Sequence, residues 1–285
     1  GRRQRQMCIR DRCVDYWSTH SFSRVWPVDQ NPALHNPDLE GETFLWEAGP
    51  VGVYLSHGFT ATSSEVRPLA RRLHAAGYTV AGPLLPGHGT TPEELNRTRW
   101  QAWVAGGEET YQHLVARCEQ VFLGGESMGA LTALYLASEH PEAEGVLAYA
   151  PAIELRLSRW DQLKLYLSAP FVPGIAKQNW RPAPGWQGYR ANPLRAVLQL
   201  LRMKKEVQSR LPLIQQPVLV VQGRLDDTIA PESGEIISEG VRSTWTEIHW
   251  LEHSGHTVIL DQEFESVVEL TLGFLKRVQE GQDPA

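Results

Sequence analysis

Two glycines bracket a serine at Gly125-Glu126-Ser127-Met128-Gly129, directly after the apolar run Val121-Phe122-Leu123. A serine hydroxyl presented on a sharp strand-to-helix turn is a nucleophile, and the chemistry it suits is acyl transfer through a covalent serine adduct. Small residues belong on either side because such a turn is strained and crowded, so that a Cβ would collide with neighbouring backbone. Taken alone the pattern is weak, since about one unrelated chain of this length in ten carries it by accident at ordinary glycine and serine abundance.

The hydroxyl also needs a base to take its proton and an acid to orient that base. Downstream, a strand-like run at 218–221 leads into Gln222-Gly223-Arg224-Leu225-Asp226-Asp227, and a second at 244–249 leads into Leu251-Glu252-His253-Ser254-Gly255-His256. Nucleophile, acid and base thus follow one another along the chain, each on a loop after a strand. His249, His253 and His256 resemble a metal cluster, but i,i+4 spacing shares a face only on a helix, and here a strand ends in a loop. The glycine pairs Gly106-Gly107 and Gly124-Gly125 match neither phosphate-binding fingerprint. Neither a metal nor a cofactor is expected.

The elements that must carry these residues alternate. Strands are predicted at 51–56, 78–81, 120–123, 145–149, 217–221 and 244–249, and helices at 65–76, 100–116, 130–138, 232–239 and 261–278. A glycine- and proline-rich loop is expected over 82–92. Such alternation predicts an α/β fold with a mostly parallel central sheet flanked by helices. The pattern stops over residues 152–211, where prolines interrupt short leucine-rich helical stretches and no strand is convincing. This segment reads as a small helical cap (lid) inserted into a core made of 13–151 and 212–285. It holds eleven lysines and arginines against three acidic residues, a net charge of +8 that leaves −14 for the remainder. A basic lid that complements an acidic core accounts for this, and the sharper alternative is attraction to anionic interfaces aided by Trp160, Tyr166, Trp180, Trp186 and Tyr189.

The 285 residues suffice for one large core, and a formal charge of −6 argues against nucleic acid as a partner. No run approaches the ~20 apolar residues of a membrane span. Cys8, Cys13 and Cys118 are too few for a disulfide framework, which points to a reducing, cytoplasmic setting. Residues 1–12 are expected to be non-native: Met7-Cys8-Ile9-Arg10-Asp11 back-translates to ATG TGT ATA AGA GAC, the end of a common sequencing adaptor, and they are excluded from the fold reading. The sequence carries no signal of oligomeric state.

Five motifs in order, His57-Gly58-Phe59-Thr60, Leu85-Pro86-Gly87-His88-Gly89, Gly125-Glu126-Ser127-Met128-Gly129, Gly223-Arg224-Leu225-Asp226 and His253-Ser254-Gly255-His256, resemble the bacterial carboxylesterase and monoacylglycerol lipase branch of the α/β-hydrolases. The resemblance runs from about residue 51 to the last helix. It implies Ser127 as nucleophile, His256 as general base and Asp226 as the orienting acid. It places the oxyanion hole at the backbone N–H groups of Met128 and Phe59, and gives His57 a structural role in its turn. Asp227 is then a loop residue, Asp261 a cap of the last helix, and His253 and His88 loop histidines. The implied activity is hydrolysis of short to medium chain carboxylic esters or monoacylglycerols, with a small-molecule ester as partner and contact with a lipid interface through the cap as a further one. The alternatives are another use of the same serine, as thioesterase, lactonase, C–C hydrolase or acyltransferase, or a non-catalytic ligand-binding homologue.

Overall fold

The computed structural model describes residues 34–177 and 182–282, so residues 1–12, Cys13 and the cap residues Trp180 and Arg181 lie outside it. The sheet has seven strands: β1 (Phe44–Trp46), β2 (Val51–Ser56), β3 (Thr79–Gly82), β4 (Gln120–Glu126), β5 (Gly145–Tyr149), β8 (Val218–Gly223) and β9 (Thr246–Leu251). They lie in the order β1-β3-β2-β4-β5-β8-β9, and every neighbour pair is parallel except β1 with β3. Between β5 and β8 the chain forms α5 (Arg159–Ser168), a two-stranded antiparallel ribbon of β6 (Gly174–Ala176) and β7 (Ala191–Pro193), and α6 (Leu194–Arg210). The remaining helices are α1 (Arg67–Ala75), α2 (Pro92–Arg97), α3 (Trp100–Val115), α4 (Met128–Glu139), α7 (Ser233–Gly240) and α8 (Phe264–Gln279).

The inner strands are almost wholly buried and largely apolar because helices cover both faces of the sheet. Along β2, Val53 and Leu55 point into the core shared with α1 and α8, while Tyr54 points into the core shared with α3, α4 and α6. All three are fully buried. β2 lies in the middle of the sheet with β3 on one side and β4 on the other, so the chain reverses direction there. A crevice for a ligand opens at such a reversal, above the carboxyl ends of the strands. The segments that follow β2, β4, β8 and β9 all emerge at this edge.

Three short features depart from the sequence expectation. The edge strand β1 and the β6–β7 ribbon are three residues a strand, too short to show a period of two, and the ribbon lies within the region read as strandless. Helix α2 begins at the last residue of the predicted loop and fills the stretch after it, for which no element is predicted: Thr91 Oγ1 accepts the Glu94 N–H at 3.2 Å, Pro92 takes the first turn, and Glu93 and Glu94 face its dipole. From α2, Asn96 Oδ1 accepts the N–H groups of Arg195 and Ala196, capping α6 from outside its own helix, and Asn96 Nδ2 donates to Pro173 O.

The insertion is tied to the loop after β2. Thr62 N–H donates to Gln187 O at 3.1 Å and Tyr189 N–H to Thr60 O at 3.0 Å, with Ala61 bridged to Gly188 between them. Arg210 pairs with Glu139 of α4, while Lys204 pairs with Glu154 and Arg195 donates to the carbonyls of Ala169 and Pro170, all within the insertion.

The last loop has the longest way to travel. β9 lies three strands from β4, about 14 Å at ~4.8 Å per strand, and residues 252–256, which open with a turn at Glu252 and His253, make that crossing. The straight path runs over the end of β8, and there the chain has Gly223. A Cβ at that position would stand 2.3 Å from the carbonyl oxygens of both Ser254 and Gly255. Gly223→Ala is therefore expected to displace the 252–256 loop and destabilise the fold by about 1–3 kcal/mol, as overpacking does. Calorimetry of the variant checks the loss, and a melting temperature equal to that of the parent rejects the crossing as a constraint.

Candidate active site

Ser127 stands between β4 and α4 with φ 56° and ψ −111°, a strained backbone for a residue with a side chain. Its N–H donates to Tyr149 O at 2.8 Å and its carbonyl accepts the Ala152 N–H at 3.2 Å, which fixes the turn against the end of β5. The flanking glycines are needed for close approach: a Cβ at Gly125 would lie 2.4 Å from the Gly129 carbonyl carbon, and one at Gly129 only 2.0 Å from Ser56 O. The side chain is left 8% exposed, at the carboxyl edge of the sheet.

The structure brings Ser127, His256 and Asp226 together. His256 Nε2 lies 3.0 Å from Ser127 Oγ, and His256 Nδ1 lies 2.8 Å from Asp226 Oδ2. A carboxylate can only accept, so Nδ1 carries the proton and Nε2 is the acceptor for the serine hydroxyl. The second oxygen of Asp226 accepts the N–H groups of Thr228 and Ile229 at 2.8 and 2.9 Å. Burial alone would raise the Asp226 pKa, but the charge and hydrogen bond of His256 and these two amides hold it below the ordinary carboxylate range. Burial would equally lower the pKa of His256, and the neighbouring carboxylates, Asp226 foremost, outweigh it and hold the imidazole above its ordinary value.

Asp227 points elsewhere, accepting the Thr228 hydroxyl at 3.2 Å in an exposed position. Asp261 does not cap the last helix, whose N-cap is Glu263. Its carboxylate instead accepts the Gly255 N–H at 2.7 Å, one residue before His256. Glu263 takes the His253 N–H at 2.8 Å and the Ser254 hydroxyl at 2.6 Å, so two acidic side chains grip the loop that carries His256. The His253 ring is exposed, and His249 pairs with Glu247 of its own strand. His57 braces its turn: Nδ1 donates to Gly58 O at 2.9 Å, Nε2 accepts the Leu85 N–H at 3.1 Å, and burial lowers its pKa to about 4.

Met128 supplies the first N–H of α4, and Phe59 follows Gly58, whose own Cβ position would be 3.3 Å from Ser127 Cβ. Neither the Phe59 nor the Met128 N–H has a backbone partner among the described residues. The half-buried ring of Phe59 packs edge-on against His88 and Trp103. Thr60, with φ 65°, receives Lys177 Nζ on its hydroxyl at 2.7 Å, and that ammonium stands 4.7 Å from the Trp186 ring centroid. Sequence reasoning passed over Lys177, Glu65 and Glu126. The last is the variable residue of the serine motif itself, and nothing in its spacing shows that it is buried.

Comparison with known proteins identifies the family. The family model described as serine aminopeptidase, S33, matches residues 51–185. A thermostable monoacylglycerol lipase of Bacillus sp. (strain H-257) is 37% identical over 247 residues, covering 85% of this chain and 97% of the relative. A carboxylesterase of Bacillus subtilis (strain 168) is 28% identical over 237 residues, covering 82% and 96%. Among solved structures, that of the metagenome-derived lipolytic enzymes LipS and LipT superposes with a TM-score of 0.78 at 31% identity, over 84% of this chain and 99% of that one. The chain therefore belongs to the α/β-hydrolases, in the branch of the bacterial carboxylesterases and monoacylglycerol lipases.

Proposed function

We propose that this carboxylic ester hydrolase cleaves short to medium chain esters or monoacylglycerols through an acyl-enzyme on Ser127, with His256 as general base and Asp226 as its orienting acid. The observation that carries this reading is the single imidazole within 3.0 Å of the serine oxygen and 2.8 Å of a buried carboxylate. Ser127 Oγ attacks the ester carbonyl carbon as its proton passes to His256 Nε2. The oxyanion that forms is held by the N–H groups of Met128 and Phe59, whose dipoles are already in place. Collapse expels the alcohol, which takes the proton back from His256. Water then attacks the acyl-enzyme with the same imidazole as base, releasing the acid and restoring the serine. Each step uses protein groups and water, so the reading requires no cofactor.

Residues 152–211 are proposed as the cap over this site. Its own small core is formed by Leu165, Ala169, Leu194 and Leu201. On the outer side of α5, Trp160, Leu163 and Leu167 recur at helical spacing, and Phe171 follows beyond the helix end; all four are exposed, Phe171 to 86%. With Arg159 and Lys164 beside them, these side chains suit contact with an anionic lipid surface on which an insoluble ester would be met. No described helix is long and apolar enough to cross a membrane. The same reading assigns the protein to the cytoplasm, supported by the low cysteine content and the free thiol of Cys118.

Ser127→Ala is expected to abolish turnover of p-nitrophenyl esters, and a fluorophosphonate probe to label the parent at Ser127. Retained turnover, or labelling at another residue, rejects the assignment. Turnover requires neutral His256, so kcat/KM is expected to rise with pH and to reach half its plateau above the ordinary imidazole value of about 6.5. Asp226→Asn removes the charge that raises His256 and should move that midpoint to lower pH while cutting kcat. An unmoved midpoint in rate-against-pH measurements speaks against Asp226. A chain-length series on matched esters and thioesters separates ester hydrolysis from thioester hydrolysis. Co-sedimentation with anionic vesicles should weaken in Trp160→Ala/Phe171→Ala, and unchanged binding rejects the lipid contact.

A further inference from the structure

Two carboxyl groups sit in the dry interior beside the serine, and each anchors a different loop. Glu65 ends the helical turn Ser63–Glu65 and is 3% exposed. Its Oε2 accepts the Gly58 N–H at 2.6 Å. With Gly58 turned toward Glu65, the next amide, that of Phe59, is left without a backbone partner among the described residues. Glu126, 1% exposed, accepts the Val258 N–H on Oε1 at 3.2 Å, two residues beyond His256. Its second oxygen is buried with no hydrogen-bond partner among the described residues.

The surroundings of the two differ. Glu65 faces the Gly58 N–H, His256, Trp186 and Lys177, all of which favour its charge, so that burial lifts its pKa only to about 6. Glu126 faces Glu65 and Asp226, with only the Val258 and Ile259 amides in its favour and Tyr149 adding no positive charge. Burial and these two carboxylates drive its pKa well up. Carboxyl groups crowded in low dielectric do not all ionise together, and the one with fewest positive partners keeps its proton. A negative charge at 126 would also oppose the oxyanion that develops on the adjacent serine adduct.

We propose that Glu65 and Glu126 are the positioning residues of this site, Glu65 holding the oxyanion turn as a carboxylate and Glu126 holding the histidine loop as a neutral carboxylic acid. The inference rests on the Ser127 reading given above. Neither residue touches the reacting atoms. Glu65 fixes which amide of the His-Gly-Phe turn remains available and adds to the basicity of His256. Glu126 joins the nucleophile turn to the segment behind the base, with no charge that would compete for the imidazolium.

The test compares Glu126→Gln, Glu126→Leu and Glu65→Gln with the parent by steady-state kinetics, fluorophosphonate labelling and melting temperature across pH. Glu126→Leu is expected to lose about tenfold or more in kcat with KM within about twofold, the pattern of a misplaced base, and Gln, a neutral acceptor, to recover most of that loss. A carboxyl whose folded pKa lies above its unfolded one costs stability as pH rises between the two, so Glu126→Gln should gain in melting temperature over the parent with increasing pH. Glu65→Gln removes a carboxylate from His256 and should shift the acid limb of kcat/KM to lower pH. Equal kcat for the Leu and Gln variants, a pH-independent gap in melting temperature for Glu126→Gln, or an unmoved acid limb for Glu65→Gln each overturns the proposal. The melting-temperature comparison does not depend on the Leu variant folding. If the parent labels at Ser127 and the Leu variant labels as fast, positioning alone fails. If the parent does not label there, the nucleophile assignment itself is wrong.

Discussion

Everything at the carboxyl edge of the sheet depends on how closely β2 and β4 approach there. Parallel pairing sets Ser56 beside Gly125, and the chain then turns so sharply that the Gly129 Cα comes up against the Ser56 carbonyl. Only a residue without a Cβ fits, and the serine between the glycines is held at a positive φ as a result. That backbone costs on the order of 1–3 kcal/mol, supplied by the packing of the two strands and of the largely buried helix that follows. The return is a hydroxyl that projects from the sheet edge with little freedom to turn away, and a helix start whose first amide lies next to it.

The other parts are brought to this fixed point from separate strands, and each arrives under restraint. Asp226 sits one short loop beyond β8, with two backbone amides on its far oxygen. His256 is carried from β9 across the ends of β8 and β5, and its loop is held by hydrogen bonds to Asp261, Glu263 and Glu126. Acidic side chains do this repeatedly because an irregular loop leaves N–H groups that its own backbone does not satisfy. Several of the acidic residues outside 152–211 thus serve as backbone acceptors around His256.

How far the sequence foretold this varies with the physics of each element. The strands at 51–56 and 145–149 are found with the bounds their apolar runs predict, because a strand buried on both faces has no choice of composition. β1, β6 and β7 escape because three residues carry no period. Helix α2 was legible in Thr91, Pro92, Glu93 and Glu94 but is hidden by the glycine-rich loop before it. Of the site, the chain order of serine, aspartate and histidine after successive strands is written in the sequence, whereas Asp261 is not what its position before a helix suggests. Its partner is an amide six residues back, and that pairing arises only when the loop folds over Gly223. Glu65 and Glu126 look like any acidic residues until the burial of their surroundings is known.

Gln187 and Tyr189, just ahead of β7, hydrogen-bond directly to Thr62 and Thr60, which follow Phe59. A lid hung from helices alone could be exchanged between relatives as a cassette, altering what enters while leaving reactivity alone. Here residues 187–189 and the turn after Phe59 are joined by backbone hydrogen bonds. Wholesale replacement of residues 152–211 would therefore also disturb the turn that carries Phe59, so variation along this lineage should arise by substitution within that segment rather than by its exchange.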